Sequence, residues 1–357
     1  MPTLAAQTLV EYVARIFAAT GSPTAEAHAV ADHLVGANLR GHDSHGVIRV
    51  SGYVTLATAG TLKPGAASSI VRESASTALL DGGWNYGQIV THRATEIAIA
   101  KARETGVAFV SAFNSGHAGR IGAYGEQIVE AGMIALGGVN TPGTSLVAAH
   151  GGTRRRLGTN PIMIAMPGPT PAEPFVLDMA TSVIAEGKLK VAANKGVHVA
   201  PELIIDAEGS PTTDPGDFYG TDEHPEQGAL LPVGGATGGH KGSGLNLAID
   251  ALGGILSGAG TSLDGQRGSN GVFIMALDPG RFTGADVFVT MITGLLDGMR
   301  QPPTAPGVEE ILTAGEPERR SMAQRLAHGL PLDEATWAQI VAAGASVGVP
   351  AIDAGRA

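Results

Sequence analysis

The amino-acid sequence predicts an α/β fold with helical segments at both ends of the chain. From about residue 75 onward, short runs of β-forming residues alternate with segments whose apolar residues recur every three or four positions. Such alternation is typical of a sheet flanked by helices. The first forty residues and those after about residue 318 carry helical patterns only, so we expect both ends to pack together beside a central α/β body. This divides the chain into residues 1–75, 76–294 and 295–357.

Two helices are predicted in the first forty residues. The first presents apolar side chains on one face, and Gly21 supplies a residue that can end a helix in the left-handed conformation. The second is expected to begin with Ser22 as its N-cap and Pro23 as its first residue. Its buried stripe comprises Ala27, Val30, Ala31 and Leu34.

The central part alternates predicted strands with predicted helices. The strands cover residues 77–81, 107–113, 134–139, 161–166, 175–177 and 272–277. The helices cover residues 88–104 and 121–130, and a third is indicated by Leu245, Ile249, Leu252 and Leu256. Gly106 and Gly132 end the first two of these helices. Near the end of the chain, Asp333 is predicted as the N-cap of a further helix.

The composition points to small-molecule chemistry. A net charge of −10, from 33 acidic and 23 basic residues, argues against nucleic acid or an anionic membrane surface as partner. The absence of cysteine excludes disulfides, thiolate nucleophiles and Cys-ligated zinc, and it fits a reducing compartment. The first residues lack the basic segment of a secretory signal, and no apolar run reaches membrane-spanning length. We therefore expect a cytoplasmic protein.

The polar segment after the second helix is the strongest candidate for chemistry. We call residues 40–49, Arg-Gly-His-Asp-Ser-His-Gly-Val-Ile-Arg, the His/Arg loop. Within it, His45 can move a proton, because imidazole titrates near pH 6.5. Arg49 offers the planar donor fork that binds a carboxylate through two parallel hydrogen bonds. The same residues also suit a helix cap and turn, and His42, Asp43 and His45 together suit zinc or iron.

Glycine-rich segments supply candidate anion sites. Residues 116–122, Gly-His-Ala-Gly-Arg-Ile-Gly, lie between a predicted strand and a predicted helix, where backbone N–H groups can approach a pyrophosphate. Their spacing is G-x-x-G-x-x-G, so a standard Rossmann fingerprint is not predicted, and the glycines also suit a plain tight turn. Residues 234–244 are predicted to precede a helix. They suit a second phosphate-binding loop, in which Lys241 would supply positive charge, or a flexible linker.

Two further segments place small polar groups at the ends of predicted strands. Residues 158–161, Gly-Thr-Asn-Pro, precede one strand, and residues 177–182, Leu-Asp-Met-Ala-Thr-Ser, follow another. Ligands of α/β proteins collect at such sheet ends. Within the second segment, Asp178 could orient a histidine, pair with a cation or cap the next helix.

Five ordered motifs together resemble the type 2 malate/L-lactate dehydrogenase family. They are the His/Arg loop, residues 158–161, residues 177–182, Pro-Thr-Thr-Asp-Pro at 211–215 and Gly-His-Lys-Gly-Ser-Gly at 239–244. The resemblance runs from the first helix to residues 329–333, and residues 119–124 are most similar to the hydroxycarboxylate dehydrogenase B branch. It implies a non-Rossmann nicotinamide-binding fold with a mixed sheet.

The resemblance also implies an activity. A member of this family transfers hydride between NAD or NADP and a small 2-hydroxy or 2-oxo acid, and some members reduce a cyclic imino acid such as piperideine-2-carboxylate. Residues 76–294 would bind the cofactor, while residues 1–75 and 295–357 would form a substrate and dimerisation region of a homodimer. Apolar helices at both chain ends also suggest a subunit contact. Alternatives from other classes are a metal-dependent hydrolase or lyase using His42, Asp43 and His45, and a non-catalytic ligand-binding protein.

The resemblance assigns roles to individual residues. His45 would be the acid/base and Arg49 the carboxylate anchor, with Ser44 beside them. Asp178 would assist His45 or the nicotinamide, and His117 matches a histidine treated as catalytic in some members. His42 and Asp43 would then be structural, and no metal is expected. The expected cofactor contacts are His45, Ala118, Gly119, Arg120, Thr141, Asn160, Asp178, Met179, Ala180, Thr181, Ser182, His240, Lys241, Asn270, Gly315, Glu316 and Pro317.

Overall fold

The computed structural model describes residues 2–220, 227–266, 268–353 and 355–356. Its helices are α1 (Ala6–Ala19), α2 (Thr24–Leu39), α3 (Val50–Thr58), α4 (Gly87–Thr105), α5 (Gly122–Glu130), α6 (Glu186–Lys195), α7 (Pro215–Tyr219), α8 (Gly235–Asp250), α9 (Ala285–Met299), α10 (Glu316–His328) and α11 (Glu334–Ser346). None of these helices combines the length and the apolar character needed to cross a bilayer.

The strands form one large sheet and two small ones. They are β1 (Pro2–Leu4), β2 (Ser69–Glu73), β3 (Thr77–Asp81), β4 (Val107–Ser115), β5 (Ile134–Asn140), β6 (Val147–Ala148), β7 (Arg155–Leu157), β8 (Ile162–Met166), β9 (Phe175–Met179), β10 (Ile204–Ile205), β11 (Pro211–Thr212), β12 (Ala229–Leu230), β13 (Asn270–Leu277), β14 (Leu330–Pro331) and β15 (Gly355–Arg356). The large sheet has the order β2-β3-β4-β13-β5-β8-β9.

The large sheet is mixed. Its β3 and β4 strands run parallel, whereas its other neighbouring strands are antiparallel. The second sheet, in the order β11-β10-β12-β6-β7, also contains one parallel pair, β12 with β6. The predicted α/β class is therefore confirmed, with mixed sheets.

Helices α4 and α5 pack on one face of the large sheet. Their side chains share a buried cluster with alternate residues of the central strands, because neighbouring residues of a strand point to opposite faces. The members that carry the contact include Val90, Ala94, Ile128, Val110, Val272 and Ile274. On the opposite face, the Phe109 and Phe273 rings stack with centroids 5.7 Å apart. The sheet thereby fixes the starts of α4 and α5, where the candidate site begins.

Helices from both ends of the chain share one hydrophobic cluster. Leu9, Phe17 and Leu34 of the first helices are buried together with Ile340 of α11, and strand β1 pairs with β14 and β15. The apolar faces predicted at the two chain ends therefore cover each other within one chain. Among the described residues, helix α9 exposes four large apolar side chains, Val287, Met291, Leu295 and Met299.

The glycine-rich segment at residues 234–244 differs from the sequence prediction. We expected a loop before a helix, but α8 begins at Gly235 and includes the segment. Helix α8 lies directly against the preceding chain, so that a Cβ on Gly242 would collide with the Val233 carbonyl oxygen. Glycine therefore serves close packing here, which outweighs its low helix propensity.

Ser22 also differs from its predicted role. Pro23 occupies the N-cap position of α2, and the Ser22 hydroxyl lies 3.0 Å from the Tyr86 hydroxyl instead of capping the helix. The partner is 64 residues away along the chain, so no local signal indicates it.

Candidate active site

The His/Arg loop folds into two short 3-10 turns between α2 and α3. The turns are Asp43–His45 and Val47–Arg49. Asn38, at the end of α2, holds both of them: its Oδ1 accepts the Val47 N–H at 2.8 Å, and its Nδ2 donates to the Asp43 carboxylate at 2.7 Å. One buried amide therefore determines the path of the loop.

Helix α10 engages the first half of the His/Arg loop. Asp43 pairs with Arg325 at 2.6 Å, and His42 Nε2 lies 3.3 Å from the Glu318 carboxylate. In the part of the chain that the structure describes, no group of three His, Asp or Glu side chains is arranged to hold a metal ion. This arrangement supports structural roles for His42 and Asp43.

The second half of the loop forms a compact cluster with a histidine from the segment after β4. The Ser44 hydroxyl lies 3.1 Å from His45 Nδ1, and Arg49 Nε donates to the Ser44 carbonyl oxygen at 2.7 Å. The His45 and His117 rings stack with centroids 5.6 Å apart and an interplanar angle of 14°. Among the described residues, the two terminal nitrogens of Arg49 have no hydrogen-bond or ion-pair partner. The guanidinium fork is thus free to bind an anion.

Burial keeps both stacked imidazoles neutral. It lowers the pKa of His45 to about 3, and the charges of Arg49, His42 and Arg120 act in the same direction. Burial, followed by the Arg49 charge, also lowers the pKa of His117 well below its usual value. At neutral pH each ring therefore has one N–H donor and one nitrogen that can accept a proton.

Two residues not predicted from the sequence connect to His117, Tyr53 directly and Gln88 through Tyr53. Tyr53 Oη lies 2.6 Å from His117 Nδ1, and Gln88 Nε2 donates to Tyr53 Oη at 2.9 Å. Tyr53 follows Arg49 by one helical turn at the start of α3, a spacing that places the two side chains on one face. That spacing was the available signal. Nothing local indicates Gln88.

Asp178, in β9, lies against the start of α5, and within the described part of the chain no hydrogen bond joins it to His45. Its Oδ2 accepts the Gly122 N–H at 2.7 Å, and the Arg120 guanidinium is 4.0 Å away. Arg120 is 3% exposed and also pairs with Glu126 at 2.8 Å. Burial raises the pKa of Asp178, while the Arg120 charge opposes the rise. The carboxylate thus stabilises the N-terminus of α5.

The backbone of residues 116–122 is held by acceptors from other parts of the chain. The N–H groups of Ala118, Arg120 and Gly122 donate to Asn270 Oδ1, His33 Nε2 and Asp178 Oδ2 at 2.7, 3.0 and 2.7 Å. These three N–H groups are therefore satisfied by the protein, and the predicted pyrophosphate cradle cannot use them. Local sequence could not show this, because every acceptor comes from a distant element.

Asn160 belongs to a buried polar network. Its Oδ1 accepts the Thr141 N–H at 3.2 Å, its Nδ2 donates to Asn246 at 2.8 Å, and its carbonyl oxygen accepts the Thr181 hydroxyl at 2.9 Å. The Asn160 and Thr181 side chains are fully buried. They hold the sheet end together from inside, so any cofactor contact here would use the neighbouring backbone.

Asp250 is the anionic centre of this network. Its carboxylate, 4% exposed, accepts hydrogen bonds from Asn140, Asn160 and Ser262 at 3.2, 3.2 and 2.8 Å. Asp250→Asn replaces one acceptor oxygen with an amide that faces these donors, so we expect unfolding free energy to fall by about 2–4 kcal/mol. Urea denaturation measures the change. The exposed Asp353→Asn control should change stability by less than about 0.5 kcal/mol. Equal stability of the two variants would contradict the role of Asp250.

The remaining predicted cofactor residues lie in other segments. His240 and Lys241 are exposed on α8, and the His240 ring lies edge-on to His150 at 5.6 Å. Gly315 is the N-cap of α10, and the carboxylate of Glu316 accepts a hydrogen bond from Arg300 at 2.7 Å. Pro317 follows in the first turn of α10, Met179 and Ala180 are half-buried, and the Ser182 hydroxyl donates to the Ile184 carbonyl oxygen.

Comparison with known proteins identifies a family. A family model described as malate/L-lactate dehydrogenase matches residues 4–341. Malate dehydrogenase of Pyrococcus abyssi is 38% identical over 332 residues, covering 91% of this chain and 89% of the relative. Hydroxycarboxylate dehydrogenase B of Escherichia coli O157:H7 is 36% identical, covering 97% and 94%. The solved sulfolactate dehydrogenase of Methanocaldococcus jannaschii superposes with a TM-score of 0.87 at 34% identity, covering 98% of both chains.

Proposed function

Because the chain belongs to the malate/L-lactate dehydrogenase family, we propose that it transfers hydride between a nicotinamide cofactor and a small 2-hydroxy or 2-oxo acid. The named relatives act on malate, hydroxycarboxylate and sulfolactate, all of which carry a carboxylate. The observation that supports this most strongly is the free Arg49 fork beside two neutral, stacked imidazoles.

Arg49 and His45 divide the chemistry. Arg49 binds the substrate carboxylate through its two terminal nitrogens and fixes the orientation of C2. Because His45 Nδ1 faces Ser44, its Nε2 is the atom that accepts the hydroxyl proton during oxidation. When bound, the nicotinamide cofactor supplies the hydride acceptor. In the reverse direction, the same imidazoles polarise the substrate carbonyl.

The donor set near α8 suits an anionic cofactor. The first turn of a helix presents backbone N–H groups and the positive end of its dipole, and exposed His240 and Lys241 follow one turn later. We place the cofactor phosphates here, with residues 178–182 and 315–317 as further contacts. The fold would not bind the cofactor as a Rossmann domain does, because the large sheet has only one parallel pair in the described strands.

A homodimer accounts for the apolar surface of α9. Val287, Met291, Leu295 and Met299 recur every four residues, and Met291 and Leu295 are 67% and 60% exposed. A contiguous exposed apolar face of this kind marks an interaction surface. The proposed subunit contact therefore lies on α9 and not on the chain-end helices, which cover each other. The division at residues 75 and 294 and the cytoplasmic location stay predictions.

The rate of substrate oxidation should change little as the pH falls. The reaction needs neutral His45, whose pKa of about 3 reflects burial and the charges of Arg49, His42 and Arg120, with His117 stacked beside it. We expect kcat/KM to change less than about twofold between about pH 8 and about pH 5.5. An imidazole with the usual pKa of about 6.5 would lose about tenfold over this range. The pH dependence of kcat/KM is measured with a substrate whose carboxylate stays ionised over this range. A tenfold fall in kcat/KM would contradict the neutral state assigned to His45.

A panel assay tests the proposed function. The purified chain is mixed with NADH or NADPH and with pyruvate, oxaloacetate, hydroxypyruvate, phenylpyruvate or piperideine-2-carboxylate, and nicotinamide absorbance is followed. We expect turnover with at least one 2-oxo acid, and the preferred cofactor is read from the same data. Turnover with piperideine-2-carboxylate alone would support the imino acid alternative. Cofactor binding without any turnover would support a ligand-binding protein, and activity abolished by chelator would support the metal-dependent alternative.

A further inference from the structure

We propose that Tyr53 and Gln88 are positioning residues that fix His117 in a single tautomer, with its proton on Nε2. In this state His117 can only donate to the substrate oxygen, and His45 alone accepts the proton. The inference rests on the proposed hydride-transfer function for its catalytic meaning. The tautomer itself is a property of the enzyme without substrate.

The direction of the hydrogen bonds follows from counting donors. Gln88 Nε2 can only donate, so Tyr53 Oη is the acceptor of their 2.9 Å bond. The single Tyr53 proton then has two acceptors on His117, the Nδ1 atom at 2.6 Å and the carbonyl oxygen at 3.5 Å. The Tyr53 proton is therefore donated to Nδ1, the nearer acceptor, because hydrogen bonds weaken steeply with distance. His117 Nδ1 must accept, and its proton lies on Nε2.

We call the hydrogen-bonded series Gln88, Tyr53 and His117 the relay. Burial keeps the relay in this charge state. It raises the pKa of Tyr53 to about 12, so the phenol remains protonated at any physiological pH. It also keeps His117 neutral. Within this chain of hydrogen bonds, the Gln88 amide donor sets the direction of the Tyr53 hydroxyl, which in turn donates to His117.

Packing holds the relay in place. Helix α4 begins directly against the His117 backbone, where a Cβ on Gly87 would collide with the His117 carbonyl group. This close approach puts Gln88 beside the site. The Phe17 and Tyr86 rings flank Tyr53 with centroids 6.2 and 6.0 Å away. Tyr53 therefore cannot swing away without disturbing the hydrophobic cluster of the chain-end helices.

The two histidines cannot exchange roles. The partner of His45 is the Ser44 hydroxyl, which can donate or accept, so His45 can hold or release a proton. In oxidation, a bound nicotinamide would accept the C2 hydrogen together with its electron pair as hydride. The hydroxyl proton passes to His45 Nε2, and the new carbonyl oxygen accepts a hydrogen bond from His117 Nε2–H. Tyr53 thus acts through His117 and does not touch the substrate.

Nitrogen-15 NMR of the resting enzyme tests the tautomer directly. Protein labelled at histidine is examined by long-range proton–nitrogen correlation, and His117→Gln identifies the His117 signals. We expect a single neutral pattern with the proton on Nε2. In Tyr53→Phe, which removes the only donor to Nδ1 found among the described residues, we expect a tautomer mixture. Tyr86→Phe is the matched control. It removes a hydroxyl from the same aromatic cluster, but that hydroxyl is hydrogen-bonded to Ser22 and not to His117.

Kinetics provide the second reading. Tyr53→Phe should lower kcat about tenfold and change KM less than about threefold, whereas Tyr86→Phe should stay within about twofold of the parent enzyme. A proton on Nδ1 in the parent enzyme, or an unchanged His117 pattern in Tyr53→Phe, would overturn the proposal. The spectra need no substrate, so they test the tautomer even if the panel assay finds no dehydrogenase activity. A failure of the tautomer proposal can therefore be distinguished from a failure of the proposed function.

Discussion

Replacing His45 with alanine should lower kcat by about 10²–10⁴-fold and leave cofactor binding largely unchanged. The reason is that His45 Nε2 is the proposed proton acceptor, and the stacked His117 ring cannot replace it while Tyr53 occupies its Nδ1 atom. The cofactor phosphates are placed at α8, in a different segment, so the affinity for the cofactor should be retained. Steady-state kinetics with the best substrate of the panel measure kcat, and fluorescence titration measures cofactor affinity.

His28→Ala is the matched control for this variant. His28 lies on α2 with a side chain 40% exposed and pairs only loosely with Glu11, at 3.9 Å. Its replacement should leave kcat within about twofold of the parent value. If His45→Ala turned over at the parent rate, the acid/base assignment would fail, and the two stacked rings would have to be reassigned.

Replacing Arg49 with lysine should raise KM for the 2-hydroxy acid by about 10–100-fold. Lysine keeps the positive charge but lacks the planar fork that holds a carboxylate through two bonds. It also loses the Nε bond to the Ser44 carbonyl oxygen, which aims the fork. Steady-state kinetics measure KM, and Arg93→Lys, at an exposed position on α4, is the control with the same chemical change.

A substrate analogue makes the Arg49 test specific to the carboxylate. The amide of the same hydroxy acid lacks the negative charge that the fork binds. Parent enzyme and Arg49→Lys should therefore differ much less with the amide than with the acid. An equal KM for the acid in both enzymes, or an equal loss for the acid and the amide, would remove Arg49 from the carboxylate site.

Elements with strong local patterns were predictable from the sequence. The residues predicted for strand β3 match the observed bounds, Thr77–Asp81. Gly106 ends α4 in the left-handed conformation as predicted, and Asp333 caps α11 by accepting the Thr336 N–H at 2.8 Å. Each of these features depends on residues within a few positions of one another, which is the range that periodicity and capping rules cover.

Elements that depend on distant partners were not predicted. The two-residue strands of the second sheet are too short for a local pattern, and β6 and β12, which pair with each other, are far apart in sequence. Helix α9 was not predicted either. Only Ile292 and Leu296 of this helix are buried within the chain, while Val287, Met291, Leu295 and Met299 are exposed.

The candidate site divides in the same way. The His/Arg loop concentrates Ser44, His45 and Arg49 in six positions, and the structure brings these residues together. Tyr53 joins the site through its contact with His117, which is 64 residues away along the chain, and Gln88 joins through its hydrogen bond to Tyr53. The backbone N–H groups of residues 118–122 looked free in the sequence, but side chains from distant elements satisfy three of them.

Direct transfer of hydrogen from substrate to cofactor is the central claim, and isotope tracing tests it most directly. The best hydroxy acid substrate of the panel is prepared with deuterium at C2 and oxidised by the enzyme in ordinary water, and the reduced nicotinamide is then examined by NMR. We predict that deuterium appears at C4 of the nicotinamide ring in one stereochemical position. Deuterium released to solvent, with only ordinary hydrogen at C4, would contradict hydride transfer and the assignment of His45 and Arg49 that depends on it.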